Sequence, residues 1–462
     1  MSVGRAPVER DNPFLTRPVG RVFLSNALPM AIVMSMGGLL NLVDGIFVGR
    51  FVGVDGLAAV SAAFPVVMLL NALSVLVGGG MSSLFARHMG AGDQDEAGAI
   101  FASAHGLALL ASAGLILAAL LLGPWVVSAL AAGDPVVARH TQSYLLIMVL
   151  GAPLQLVLGL HSDALRNEGR AGRIALLSVL VNLLNIAANY IAIVVMDLGV
   201  AGSALGTVAA QALGLGLVLG LRGRDPAALP LEVLRRNPWR GGWQSILALG
   251  MPLSLSFIGI SLVASTVLLA LAGSEDDYAI HAAAYGAVLR LLGLAYLPQM
   301  AIALATQSIT GNNVGAGRMD RARAALRLAL GCAFLLCIGV TCLGFFAGSA
   351  LGALFSEDPR VIGVTAAILR PVTALYAFTG PILVLAMHYQ AMGSPGRAAA
   401  LTLLKPWVLV PALVLSFSLA FGTEHLWLAF PTADVVMLGV VLLILSRRPP
   451  VPAAPLSKAA AK

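Results

Sequence analysis

Charge is scarce in this chain. Asp, Glu, Lys and Arg make up 11% of its 462 residues, where soluble domains carry about 25%. That leaves too little polar surface to cover a water-soluble globule, and a mean hydropathy of +0.93 agrees. Cysteine is scarcer still, and Cys332, Cys337 and Cys342 all fall in one apolar run. A spacing of five residues turns neighbours about 140° around a helix, so these thiols do not converge as metal ligands. Neither a disulfide framework nor a redox motif is supported. The seven histidines are scattered, which argues against an enzyme. No GxxxxGK[ST] phosphate loop occurs, so ATP is not the expected energy source. No cofactor is expected. The net charge of +7 is spread over short segments without a basic domain, so no nucleic-acid partner is expected either.

Long apolar runs are what the chain has instead. About 20 helical residues cross a hydrocarbon core about 30 Å thick, and runs of that length recur throughout. Backbone polar groups find no water in lipid, so spans must be helices or a closed barrel. Barrel strands alternate polar and apolar residues; AHGLALLASAGLILAALLLGPWVVSAL, from Ala104, does not. The expected fold is therefore an all-α integral membrane protein with twelve transmembrane helices. They are read at 23–47, 56–85, 97–123, 136–161, 172–196, 200–221, 244–273, 280–309, 322–350, 361–390, 398–421 and 426–446. Residues 1–20 contain no long apolar core, so no cleaved signal peptide is expected, and the first span serves for insertion.

Arginine placement gives an orientation. With twelve spans, 23 of the 28 basic residues fall to the segments on the side of both termini. Among them are Arg87, Arg166, Arg170, Arg173, Arg222, Arg318, Arg321, Arg397 and Lys405. Cytoplasmic segments are the basic ones, so both termini are expected in the cytoplasm, with the protein in the plasma membrane (the bacterial inner membrane). RGRDPAALPLEVLRRNPWRGGW, the longest polar connection, divides the chain near its middle. The expected organisation is a tail over 1–22, a six-helix lobe over 23–221, a linker over 222–243, a second six-helix lobe over 244–446 and a tail over 447–462.

The two halves repeat. ARHMGAGDQDEAGAI, from Ala86, returns as GNNVGAGRMDRARAA from Gly311, so that Gly90-Ala91-Gly92 becomes Gly315-Ala316-Gly317. LPMAIVMSM around Pro29 resembles MPLSLSFIG around Pro252. LRNEGRAGRIALLSVL resembles YQAMGSPGRAAALTLL, aligning Gly169 with Gly393 and Arg173 with Arg397. Three matches in order at spacings of 223 to 225 residues indicate duplication. An even number of spans per half leaves both copies in the same orientation, an arrangement common in secondary transporters. An ion gradient is then the expected energy source.

Few polar residues interrupt the spans. Asp44, in LNLVDGIFVG, is either a functional intramembrane acid or an outer-interface residue solvated beside Gly45. In VNLLNIAANYIAI, Asn185 and Asn189 share a helix face, while Asn182 lies to one side and suits an interhelical hydrogen bond. Tyr144 and Thr207, taken alone, suit packing. Arg290 suits a structural role, bonding freed backbone carbonyls. Asp434 admits three readings: a second coupling group, a partner of Arg290, or a helix-end residue.

LNLVDGIFVGRFVGVDGLAAVSAAFPV, from Leu40, resembles the first-to-second-span signature of the multidrug and toxic compound extrusion (MATE) family. AYGAVLRLLGLAYLPQ and QSITGNNVGAGRMDRARAA resemble its eighth span and following loop, and LWLAFPTADV its twelfth span. The resemblance extends over residues 25 to 446. It implies two pseudo-symmetric six-helix bundles around a cleft, exchanging organic cations, often lipophilic drugs, for protons or sodium. By resemblance Asp44 matches the ion-carrying aspartate of the first lobe, and Asn185 the asparagine of an N-x-x-x-D motif. Asn189 stands where that motif has its aspartate. Tyr144 and Thr207 match hydroxyl residues beside the same cavity. One carboxylate rather than two favours protons, with sodium still open. SLSFIGISLVASTVLLAL lacks the acidic ligands of one family branch, and the tenth span offers only Arg370 and His388, so no sodium site is expected in the second lobe. The alternative within the superfamily is a flippase for lipid-linked sugars. Membrane lipid is an expected partner, and a monomer the expected state.

Overall fold

The computed structural model describes residues 12–130, 134–226, 228–272 and 278–447. Arg5, Arg10, Arg448, Lys458 and Lys462, and with them most of the tails read at 1–22 and 447–462, lie outside the described residues. Among the described residues, ten helices are long and apolar enough to cross a membrane, and two bent pairs bring the number to twelve. In chain order the spans are α1 Val19–Phe51, α2 Val54–Gly90, α3 Gln94–Leu130, α4 Pro135–Leu150 with Ala152–Asn167, α5 Ala171–Val195 and α6 Gly199–Arg224. The second half follows with α7 Trp243–Ala272, α8 Tyr278–Gly315, α9 Met319–Phe346, α10 Pro359–Thr373 with Tyr376–Ala391, α11 Pro395–Phe421 and α12 Thr423–Ser446.

The halves share their irregularities as well as their helices. α4 and α10, read from sequence as straight runs, bend by 45° and 52°. Pro153 stands just past the break in α4 and Pro371 just before the break in α10; proline withdraws a backbone donor from the helix. Both bent spans open on Asp-Pro. Asp134 accepts from the Val136 and Val137 N–H groups at 2.8 and 3.1 Å, and Asp358 from the Arg360 N–H at 2.8 Å. Each aspartate caps a helix whose first residue is proline, a strong start signal.

The lobes meet where α2 crosses α7 and α8. A Cβ on Gly90 would lie 1.9 Å from the Asn312 carbonyl oxygen, and one on Gly315 would lie 1.8 Å from that of Arg87. Arg87 and Asn312 are 225 residues apart, as are the two glycines, so each copy of the repeat presses its glycine on its counterpart's backbone. Gly80 and Gly250 make similar approaches, to Ile246 and Leu76. The second glycine of each repeat does different work: Gly92 and Gly317 turn the chain with φ of +75° and +71°, values that favour glycine. The repeated Gly-Ala-Gly therefore encodes an interface and a turn together.

The arginine-rich segments share one face. There Asn12 donates to Asn312 at 2.8 Å, Arg170 to Asp225 at 2.5 Å and Arg321 to the Arg17 carbonyl at 2.5 Å. Three of the basic residues assigned to loops turn inward instead. Arg222 lies inside α6 and is buried, donating to Glu168 at 2.6 Å. Arg166 is buried within α4, and Lys405 lies in α11. The linker is not a free loop either. Buried Leu229 packs with Phe101, Leu156 and Ile246, its N–H donating to Glu168 at 3.1 Å and its carbonyl accepting from Arg222 at 3.1 Å.

The crossing predicts that Gly315→Val forces α2 and α8 apart. In a background free of the native cysteines, a cysteine replacing buried Ser83 should become labelled by an impermeant maleimide from the arginine-rich face. Without Gly315→Val it should stay protected; equal labelling in both would refute the crossing's role.

Candidate functional site in the first lobe

The apolar bundle of α1, α5 and α6 encloses a short ladder of polar side chains. Thr207 on α6 donates to the Ser203 carbonyl at 3.0 Å and accepts from the Asn185 amide at 3.2 Å. Asn185 accepts in turn from Asn189, one turn along α5, at 3.1 Å. The Asn189 amide also donates to the Asp44 carboxylate of α1 at 2.6 Å. Asn185 and Asn189 are fully buried, while Asp44 and Thr207 are half-buried. Donors thus run from a backbone carbonyl across three helices and end on one carboxylate, and bonds to an ionised acceptor are the strong ones. The Asn189 carbonyl oxygen is buried and accepts no hydrogen bond.

Glycine makes the ladder fit. A Cβ on Gly206 would fall 2.0 Å from that same Asn189 oxygen and 2.9 Å from its backbone nitrogen. Only a residue without a side chain lets α6 come this close to α5. The last turn of α5, Ile191–Val195, is a π-helix immediately beyond the asparagines, a local widening common beside functional sites. Tyr144 on α4 is half-buried against Leu70, Met148 and Ala204, near enough to feel the Asp44 charge.

Two cavities lie deeper between the helices. One, of about 460 Å³, lies between the lobes, with Met34, Asn71, Asp163 and Arg166 on one wall and Phe257, Tyr296 and Gln307 on the other. The second, of about 340 Å³, lies within the second lobe, and Tyr296 also borders it.

Sequence and structure comparisons now bear on this arrangement. The model of the MatE family matches residues 29–191 and again 252–414, two stretches offset by 223 residues at both ends.

The chain belongs to the MATE family.

It is 28% identical to the FAD transporter of Shewanella oneidensis, over 94% of this chain and 96% of that protein. It is 26% identical to the multidrug export protein MepA of Staphylococcus aureus, over 93% of this chain and 94% of that one. The fold is shared, at TM-score 0.86 and 24% identity, with a multidrug resistance MATE family transporter solved in an outward-facing conformation, over 95% of this chain and 98% of the other. A superfamily transporter from Pyrococcus furiosus gives TM-score 0.85 at 24% identity, over 95% and 98%. This MATE protein is therefore a multi-span membrane transporter for small molecules.

The structure brings together Asp44, Asn185, Asn189 and Thr207, with Tyr144 beside them. It does not bring in the secondary candidates. Asn182 is buried, but its amide nitrogen finds no partner, so the expected interhelical bond is absent. Arg290 is exposed on α8 rather than folded onto backbone carbonyls. Asp434 pairs with Lys405 on α11, not with Arg290. His388 lies near the arginine-rich face, but buried, with Thr310 at 3.0 Å.

A group missed in sequence ties the lobes below the central cavity. Arg166 donates to Asp163 at 2.7 Å and Ser82 at 3.0 Å within its own lobe. Across the interface it donates to the Leu304 carbonyl at 2.9 Å and Ser308 at 3.0 Å. Its position near a span end reads as a loop arginine, and nothing in the local sequence signals partners 138 residues away.

Adding one methyl at Gly206 should displace Asn189 and cost about 1–3 kcal/mol by overpacking. Gly216 has open space around it and serves as the control. Gly206→Ala should lower the melting temperature of the purified protein by several degrees and impair export, whereas Gly216→Ala should do neither. Equal behaviour of the two would show that the close approach is not needed.

Proposed function

We propose that this MATE transporter exports organic cations in exchange for protons, with Asp44 carrying the exchange. The observation behind this reading is the 2.6 Å bond from Asn189 to Asp44 at the end of a ladder of neutral groups. Only one full charge sits in that ladder. Holding a charged side chain at the bilayer centre costs about 2.5–3.5 kcal/mol on insertion scales, so an unpaired carboxylate there favours a counter-charge. A proton or an organic cation supplies it, but not both at once, and that competition is the physical basis of exchange.

The motif departure sharpens the reading. An aspartate at position 189 would put two carboxylates in contact, and like charges that close share a proton. Asn189 donates instead, which leaves one titrating carboxylate per cycle. Asp44, Asn185, Asn189 and Thr207 also offer oxygens of the kind sodium takes, so sodium is the second coupling ion to test.

Basic segments mark the cytoplasmic side, which places both termini there and the protein in the bacterial inner membrane, working as a monomer. The Arg166 bonds and the glycine contacts of α2, α7 and α8 then close the cytoplasmic side, so this conformation presents its cavities outward. Alternating access requires those contacts to part. A flippase would need several cations to hold a pyrophosphate, and the central cavity offers Arg166 alone, already bonded to Asp163.

In everted vesicles, ethidium transport should follow an imposed pH gradient and be lost in Asp44→Asn expressed at normal level. Transport that persists in Asp44→Asn, or that follows only an imposed sodium gradient, would overturn proton coupling at this residue.

A further inference from the structure

The second lobe holds a charged pair that the exchange scheme does not use. Lys405 of α11 and Asp434 of α12 form an ion pair inside the helix bundle, bordering the second-lobe cavity. The two partners are not equally placed. The Asp434 carboxyl is 3% exposed and the Lys405 side chain 26%, so the carboxylate is sealed behind the ammonium and the ammonium faces the open space. The backbone is shaped to put it there. Lys405–Leu409 is a π-helical turn in the middle of α11. Trp407 locks that turn onto α7 by donating to the Leu255 carbonyl at 2.9 Å, and a Cβ on Gly259 would lie 2.8 Å from its indole nitrogen.

The rest of the lining is apolar, with two exceptions. Tyr285 is 2% exposed, yet its hydroxyl has no hydrogen-bond partner, and the buried Thr379 hydroxyl has none either. Both border the cavity, along with Tyr296 and Tyr376. Unpaired buried donors cost stability unless something bonds to them. An ammonium, two idle hydroxyls and tyrosine rings converge on a volume of about 340 Å³.

From this geometry we propose that the second-lobe cavity is a binding site for amphiphiles that carry an acidic group, a carboxylate or phosphate on an aromatic body. The acid takes the remaining hydrogens of the Lys405 ammonium, the hydroxyls of Tyr285 and Thr379 complete its bonding, and the rings pack against the aromatic part. Asp434 keeps the empty site neutral and holds the lysine in place. The two lobes then select opposite charges: a cation at Asp44 in the first, an acid at Lys405 in the second. This deepens the transporter reading but does not depend on which ion drives it.

The test is equilibrium binding to detergent-purified full-length protein, using two probes with the same ring and opposite charge, 1-pyrenebutyrate and 1-pyrenemethylamine. The double variant Lys405→Met/Asp434→Asn removes both charges without stranding either. It should weaken pyrenebutyrate binding at least tenfold and leave pyrenemethylamine binding within twofold, whereas Lys405→Arg should keep pyrenebutyrate binding. Tyr285→Phe, which removes only the idle hydroxyl, should weaken pyrenebutyrate binding severalfold, and it decides the matter if the double variant does not fold. Unchanged pyrenebutyrate binding in a folded double variant or in Tyr285→Phe, or equal loss of both probes, would overturn the proposal. Because binding is read without a gradient, loss of ethidium efflux in Asp44→Asn leaves this result untouched, so the two readings can fail separately.

Discussion

A carboxylate inside an apolar helix bundle is tolerated only if something holds it, and here the holder is one amide. Asn189 reaches Asp44 from α5 because Asn185 and Thr207 fix its other end and because Gly206 leaves room for it. The ladder makes the carboxylate's surroundings neutral and rigid, so that the charge state of Asp44 is what changes. A second carboxylate at position 189 would make the pair share a proton; the amide leaves Asp44 to respond alone. Fixing polar groups by packing, with no second charge, keeps their cost low in a medium that offers no water.

Duplication has produced two lobes with one frame and different chemistry. Asp-Pro caps open both bent spans, the fifth span of each half carries a π-helical turn, and glycines with positive φ recur at Gly92 and Gly317 and at Gly169 and Gly393. In the first lobe the π-turn follows the asparagines that serve a lone acid. In the second it presents a lysine already paired with an acid. Backbone that is expensive to build was kept in both copies, while side chains at the same relative depth diverged.

Movement between the lobes is constrained at the reciprocal glycine contacts, which act like two flat surfaces pressed together. Arg166 adds directional bonds across them. Its partners in the second lobe are a backbone carbonyl and neutral hydroxyl and amide groups, all of which water can replace when the lobes part. A charged partner on that side would make separation far costlier, because it would leave two charges unpaired in place of one.

The twelve spans and the duplication were legible because hydropathy and repeats are local signals. Asp44 and the α5 asparagines stood out as polar residues in apolar runs, but their meeting across 145 residues came only from family resemblance. Lys405, Arg166 and Arg222 were misread for one reason: a cation within a few residues of a span end looks interfacial, and its buried partner lies on another helix. The breaks in α4 and α10 had a signal in Pro153 and Pro371 that periodicity alone did not weigh. The most direct test of the central claim is proton release on adding an organic cation to weakly buffered, purified protein. The account predicts one proton released per cation bound in the native chain and none in Asp44→Asn; equal release from both would contradict it.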